Sequence, residues 1–485
     1  MLDLSAFFDD ARLSRPLRKR LRWTLLRLAH DPAASLPKAL GVAGYKGLLR
    51  ALTNGGLEDV SLHDLGYAAT RRLLVGGELV LSLEDTTELC FGGSTGRKGL
   101  PRLNTHTTGF LLHTSLLVRP GPVPQVLGVG DLLPVLRSDR PKAKQTAAQR
   151  YLSPDKESLR WQATVERVEA RFGGHATLVH VRDREGDDYA QLSAMQTQGQ
   201  RFIQRQRQPR CVQEADHGAR GRRKTDELFV GLEGHIEREV TLASRAQGRR
   251  DPRPPSWKRL HPARVARLAT LRVVAQRIEL RRPRYVPAHL PDRLAVNVVR
   301  VWEPNPPLGH EAIEWYLETT EPIDTLEQVL FVVDGYRARW LVEEFFKALK
   351  TGCTFETLQA ETTERLIELL GLYAPVAANL LALRTLAQHV PDAPAETVLS
   401  PAQLQALGTA RNFGTMTARH APTPPTSAEE ALHLVAKLGG HLGKRGAAGW
   451  QVLMRGMLTL HERTVGYSAR EGFAFAHASK KTVPS

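Results

Sequence analysis

At 485 residues the chain has room for about three domains, and 42% hydrophobic residues exclude a disordered protein. A formal net charge of +16 calls for an anionic partner, and no stretch approaches the ~18 uninterrupted apolar residues of a membrane span, so nucleic acid is expected and a membrane is not. Cys90, Cys211 and Cys353, odd in number and far apart, exclude a disulfide framework and a zinc spacing; with no basic-then-apolar leader, a cytoplasmic protein is expected.

Residues 1 to about 70 read as helical. Leu17, Leu21, Leu25, Leu26 and Leu28 approximate one helix face, interleaved with Arg15, Arg18, Lys19, Arg20, Arg22 and Arg27. Such a basic helix either binds DNA or solubilises a surface. From about 71 to 185 the pattern turns to strands interrupted by a helix, which suggests an α/β core. Leu79 to Leu83 is an apolar run of strand length ending in Glu84-Asp85-Thr86-Thr87, followed by a Gly-rich basic loop at 92–99. Phe110 to Val118 and Gln125 to Val129 are further strands. Ser153-Pro154-Asp155 opens a helix with Pro at its first position, and Trp161, Val165, Val168 and Phe172 give that helix an apolar face. Leu178 to Val181 is a second short apolar run, ending in Arg182-Asp183-Arg184-Glu185-Gly186-Asp187.

Between about 186 and 310, strand-like pieces (Arg201 to Gln204, Leu271 to Ile278, Leu294 to Val301) alternate with basic connections at Arg220 to Lys224 and Arg249 to Arg253. Those clusters suit DNA contacts and open loops equally. Beyond Lys350 the chain is helical again. Leu366 to Ala387 is apolar but contains Glu368, Pro375, Asn379 and Arg384, and reads as a buried helix. Pro391 to Pro394 marks a break and Pro422 to Pro425 a linker. Ser427 to Glu430 has the form of a capping box, opening a helix that ends at Gly439-Gly440, and Gly449-Trp450 begins the last long helix.

The most informative stretch lies between these regions. Tyr336, Arg339, Glu343 and Lys350 stand at i, i+3, i+7 and i+14, one stripe of an α-helix. Ala338, Val342, Phe345 and Leu349 form an apolar stripe roughly 100° around the axis. A surface helix with i, i+4 ion pairs would show the same charged face. Asp85 and Asp183, each taken singly, read better as turn or cap residues, and His106 and His113, near the first Asp, as packed polar residues rather than ligands.

Taken together, the pattern Tyr-x2-Arg-x3-Glu-x6-Lys resembles the signature of bacterial insertion-sequence transposases of the IS-four family, of the transposon-five type. The resemblance extends to Trp315-Tyr316-Leu317-Glu318-Thr319-Thr320-Glu321-Pro322 and to Lys350-Thr351-Gly352. Asp85-Thr86-Thr87 and Asp183-Arg184-Glu185-Gly186-Asp187 also match the way the family writes its first two catalytic positions.

The resemblance implies an α/β fold with a ribonuclease-H-like core at 71–388, carrying a β-rich insertion at about 186–310. It also implies a helical DNA-end-binding domain at 1–70 and a helical dimerisation region at 389–485. Asp85, Asp183 and Glu343 would then be the catalytic, metal-binding carboxylates for two Mg²⁺ ions, with Mn²⁺ able to substitute; sequence alone does not separate Glu343 from Glu344. Tyr336, Arg339 and Lys350 would hold DNA phosphates, and Trp315, which reads equally as part of a core strand, would stack on a flipped base. The implied reaction is cut-and-paste transposition. Water cuts one strand, the 3′-hydroxyl attacks the other to form a hairpin, a second water opens it, and the ends join target DNA. The implied partners are double-stranded DNA and a second copy of the chain, in a bacterial, nucleoid-associated setting. The alternative is a non-catalytic, degenerate transposase that represses by occupying transposon ends.

Overall fold

The computed structural model describes residues 12–30, 32–53, 61–92, 98–104, 107–137, 155–213, 222–234, 236–242, 265–308, 312–410, 423–443 and 448–479, with isolated positions at 4, 7, 8, 146, 149, 151, 153 and 310. The cluster Arg249 to Arg253, together with Arg220, Gly221 and Pro422, lies outside the described residues.

In chain order the elements begin with α1 (Arg15–His30), α2 (Leu36–Thr53), α3 (Leu62–Arg71), β1 (Leu79–Cys90), β2 (Gly109–Arg119), β3 (Gln125–Val135), α4 (Leu159–Phe172) and β4 (Thr177–Arg182). They continue with α5 (Tyr189–Thr197), β5 (Arg201–Arg205), β6 (Cys211–Gln213), β7 (Arg222–Lys224), α6 (Thr225–Leu228), β8 (Ile236–Leu242), β9 (Arg267–Arg281), β10 (Arg293–Trp302) and β11 (Glu314–Thr319). The rest is helical: α7 (Leu326–Ala338), α8 (Trp340–Lys347), α9 (Thr363–His389), α10 (Pro401–Ala410), α11 (Ala428–Leu438) and α12 (Trp450–Ser479). The chain divides into two compact units. One contains residues 1–142, 160–178 and 338–485, the other residues 143–159 and 179–337.

The first unit is built around the antiparallel meander β1–β2–β3, in which Asp85 lies opposite Thr114. β1 does not stop at Leu83. It runs on to Cys90, so Asp85 stands inside the strand rather than beyond its end. The polar tail of β1 can stay in the ladder because β2 is buried along almost its whole length and supplies a partner for each residue. β3 likewise runs to Val135. Helix α4 begins at Leu159, later than the Pro154 signal, and buries Trp161, Val165, Val168 and Phe172, the face read from the sequence. The basic helix α1 buries Leu21, Leu25 and Leu28 and leaves Arg15, Lys19, Arg20 and Arg22 exposed. Helix α9 is long and apolar enough to cross a membrane, yet 78% of its most apolar window is buried in the protein. Ser427 caps α11, its hydroxyl accepting from Glu430 N, and Gly439 closes it. α11 and α12 cross at two glycines: a Cβ on Gly439 would lie 1.9 Å from Val452 O, and one on Gly456 would lie 1.9 Å from Val435 O.

In the second unit β5 pairs parallel to β4, with α5 as the connection, and β11 then pairs antiparallel to β5. A long hairpin of β9 and β10 follows, β10 pairing with β11 and β9 with β6 and β8. Asp188 opens α5, its carboxylate accepting from Ala190 N, Tyr151 O–H and Lys156 Nζ.

The segment 336–350 is helical without being one regular helix. α7 ends at Ala338, α8 starts at Trp340, and residues Ala348–Gly352 form a π-turn. Val342, Phe345 and Leu349 are fully buried, as their spacing suggests, whereas Ala338 is half-buried.

Candidate active site

Two groups of side chains gather the sequence-predicted residues, one in each unit. In the first unit Asp85 is half-buried on β1. Its Oδ1 accepts from Thr86 N at 2.7 Å and its Oδ2 from Arg339 Nη1 at 2.6 Å. The other arm of the same guanidinium, Nη2, donates to Glu343 Oε1 at 2.8 Å. Arg339 therefore joins a strand carboxylate and a helix carboxylate, the strand one 254 positions away in the sequence. Its planar fork makes this possible, and the lower dielectric of a mostly buried guanidinium strengthens both bonds. Glu344 turns elsewhere, pairing with Lys347 at 2.5 Å and with Arg384 of α9 at 3.3 Å. Of the two adjacent glutamates, Glu343 is the one that shares a partner with Asp85.

Lys350, inside the π-turn, donates to Glu88 O at 2.7 Å and Thr87 Oγ1 at 3.2 Å, which ties that turn to the end of β1. Behind Asp85 lies a set of groups of which the sequence pointed to His113 alone, as a packed polar residue. Arg160 Nε donates to Thr86 Oγ1 at 2.9 Å, and the Thr86 hydroxyl lies 2.8 Å from His113 Nδ1. A guanidinium has no acceptor, so the Thr86 oxygen accepts from Arg160 and its proton is free for His113. His113 is fully buried with its ring against Trp161, a packed polar residue beside the site.

In the second unit Asp183 follows the last residue of β4 and opens the 3₁₀ turn Arg184–Gly186. Its carbonyl accepts from Gln204 Nε2 at 2.7 Å, and its Oδ1 accepts from the Tyr336 hydroxyl at 3.1 Å. Arg205 Nη1 lies 3.2 Å from the Tyr336 oxygen, and the Trp315 ring meets the Tyr336 ring edge-on at 5.3 Å. Trp315 is half-buried on β11, opposite Val301.

Four residues on, Asp187 accepts from Arg207 N at 2.7 Å and pairs with Arg210, which also lies 3.2 Å from Glu318. Burial pushes the Glu318 carboxyl up to about 7, with Arg210 opposing and Asp187 adding to the shift. Asp187 thus anchors the turn that carries Asp183, while Glu185 is exposed.

Asp85 and Glu343 are hard oxygen donors that already converge on one cation, so their chemistry suits a divalent ion. Among the described residues no three His, Cys, Asp or Glu side chains stand together as a ready metal-binding group.

No family model matches the chain. Among solved structures, a cryo-EM structure of a piggyBac transposase synaptic complex with hairpin DNA is similar over 80% of this chain and 71% of that chain, at 10% sequence identity and a TM-score of 0.34.

Proposed function

We propose that this chain is a metal-dependent DNA transposase of the IS-four kind, with a ribonuclease-H-like core, that cuts transposon ends through a hairpin and joins them to target DNA as a homodimer. The observation that carries the reading is the Arg339 clamp: the strand acid and the helix acid singled out by sequence share one guanidinium, itself a member of the same signature. A solvated surface stripe would pair Arg339 with Glu343 alone. The net charge of +16 supports a polyanionic substrate.

In this reading Asp85, Asp183 and Glu343 are the metal ligands, and two divalent ions, when bound, would supply an activated water and neutralise charge on the phosphate. Arg339 and Lys350 then have a second task. Both make bonds that a phosphate can compete for, and each can turn from its protein acceptors to the DNA backbone. The Thr86 amide holds one oxygen of Asp85 throughout.

The test is cleavage of DNA carrying the element's own ends, in Mg²⁺ or Mn²⁺, comparing wild type with Glu343→Gln on denaturing gels. Nicks, hairpins and joined products from wild type, with cleavage at least about 10³-fold lower in the variant, are expected. Specific end binding with no cleavage by wild type would replace this reading with that of an end-occupying repressor.

A further inference from the structure

We infer that Tyr336 is a positioning residue that orients Asp183 for its ligand, rather than a contact to DNA phosphate. The inference rests on the reading of Asp183 as a metal-binding carboxylate. The phenol lies between two groups of fixed character. Arg205 Nη1, at 3.2 Å, can only donate, so the Tyr336 oxygen accepts there. The phenolic proton is left for Asp183 Oδ1 at 3.1 Å. The bonds run in one direction, from guanidinium to phenol to carboxylate, and Arg205 also lies 5.8 Å from the centre of the tyrosine ring.

The ring has little freedom to leave this arrangement. Tyr336 is 5% exposed, and Trp315 closes on its edge at 5.3 Å. From the other side Gln204 donates to the Asp183 carbonyl, so the backbone and the carboxylate of that residue are both held. A phosphate oxygen can only accept, and the single phenolic proton is already directed at Asp183, whereas a guanidinium or an ammonium keeps further N–H groups to offer. A carboxylate fixed in this way before a cation arrives loses less freedom when it binds, and outer-sphere partners of this type typically govern about 10- to 100-fold in metal affinity.

The experiment uses the full chain without DNA, titrated with Mn²⁺ and read by the electron paramagnetic resonance of the free ion. A parallel assay measures binding of end DNA in chelator. Tyr336→Phe keeps the ring and its packing on Trp315 and removes only the hydroxyl. The expected result is Mn²⁺ affinity lowered about 10-fold or more, with metal-free DNA affinity within about twofold of wild type. Unchanged Mn²⁺ affinity, with or without weaker DNA binding, would overturn the inference and leave the metal-site reading standing. Wild type that binds no Mn²⁺ would overturn both. If Tyr336→Phe does not fold, Arg205→Gln probes the same relay through the phenol's other partner: a smaller loss of Mn²⁺ affinity supports the relay, and none overturns it.

Discussion

Arg339 holds two acids together, and the two tasks proposed for it pull in opposite directions. The guanidinium neutralises Asp85 and Glu343, so it competes with any metal for the same oxygens. Removing it should therefore raise Mn²⁺ affinity of the DNA-free chain while harming the reaction. Arg339→Gln is expected to bind Mn²⁺ about 2- to 30-fold more tightly, from the loss of two ion pairs worth roughly 0.2–1 kcal/mol each, and to cleave DNA ends about 10²- to 10³-fold more slowly. A variant that loses both metal affinity and cleavage would show that Arg339 only holds the fold. Glu318 makes a second prediction at this scale. Its carboxyl sits near 4.5 in the unfolded chain and is raised to about 7 by burial, so its ionisation costs the folded state nothing below pH 4.5 and its full amount above about pH 7. Stability should fall across that window, and Glu318→Gln should flatten the fall, as read from the slope of urea midpoints against pH. The acids and the arginine of this site were legible in the sequence because they lie on short local patterns. Arg160 and Arg205 were not. They reach their partners across 74 and 131 positions, through strand register and helix packing that no local pattern contains.

Among the elements, those with strong local signals appear close to where the sequence places them. β2, β4 and β10 fall within a residue or two of their apolar runs, and α4 shows the expected face. The differences have physical causes. β1 extends past Asp85 because cross-strand pairing with β2 outweighs the polar character of Glu84 to Glu88. The 336–350 stripe keeps a helical backbone through Arg339 and is re-phased by the π-turn at Ala348–Gly352, a feature that depends on packing and often marks functional sites. The α11–α12 crossing gives a sharp test of element packing. With the Cβ position of Gly456 only 1.9 Å from Val435 O, even one methyl group forces the helices apart. Gly456→Val should destabilise the first unit by about 1–3 kcal/mol in urea unfolding, typical of overpacking. An unchanged midpoint would mean that the two helices do not pack this closely.

At the scale of the whole molecule, the first unit is assembled from three separate stretches of chain, and the second is inserted between them. The formal net charge of +16 favours an anionic partner. The threading imposes an order on synthesis. The strand bearing Asp85 leaves the ribosome long before Arg339, which follows 254 positions later. At about 5–20 residues per second that interval is on the order of tens of seconds. Throughout it the nascent chain already carries its basic amino-terminal helix, while the second acid of the clamp is still unmade. The first unit therefore cannot be completed until the last of its three stretches has been made.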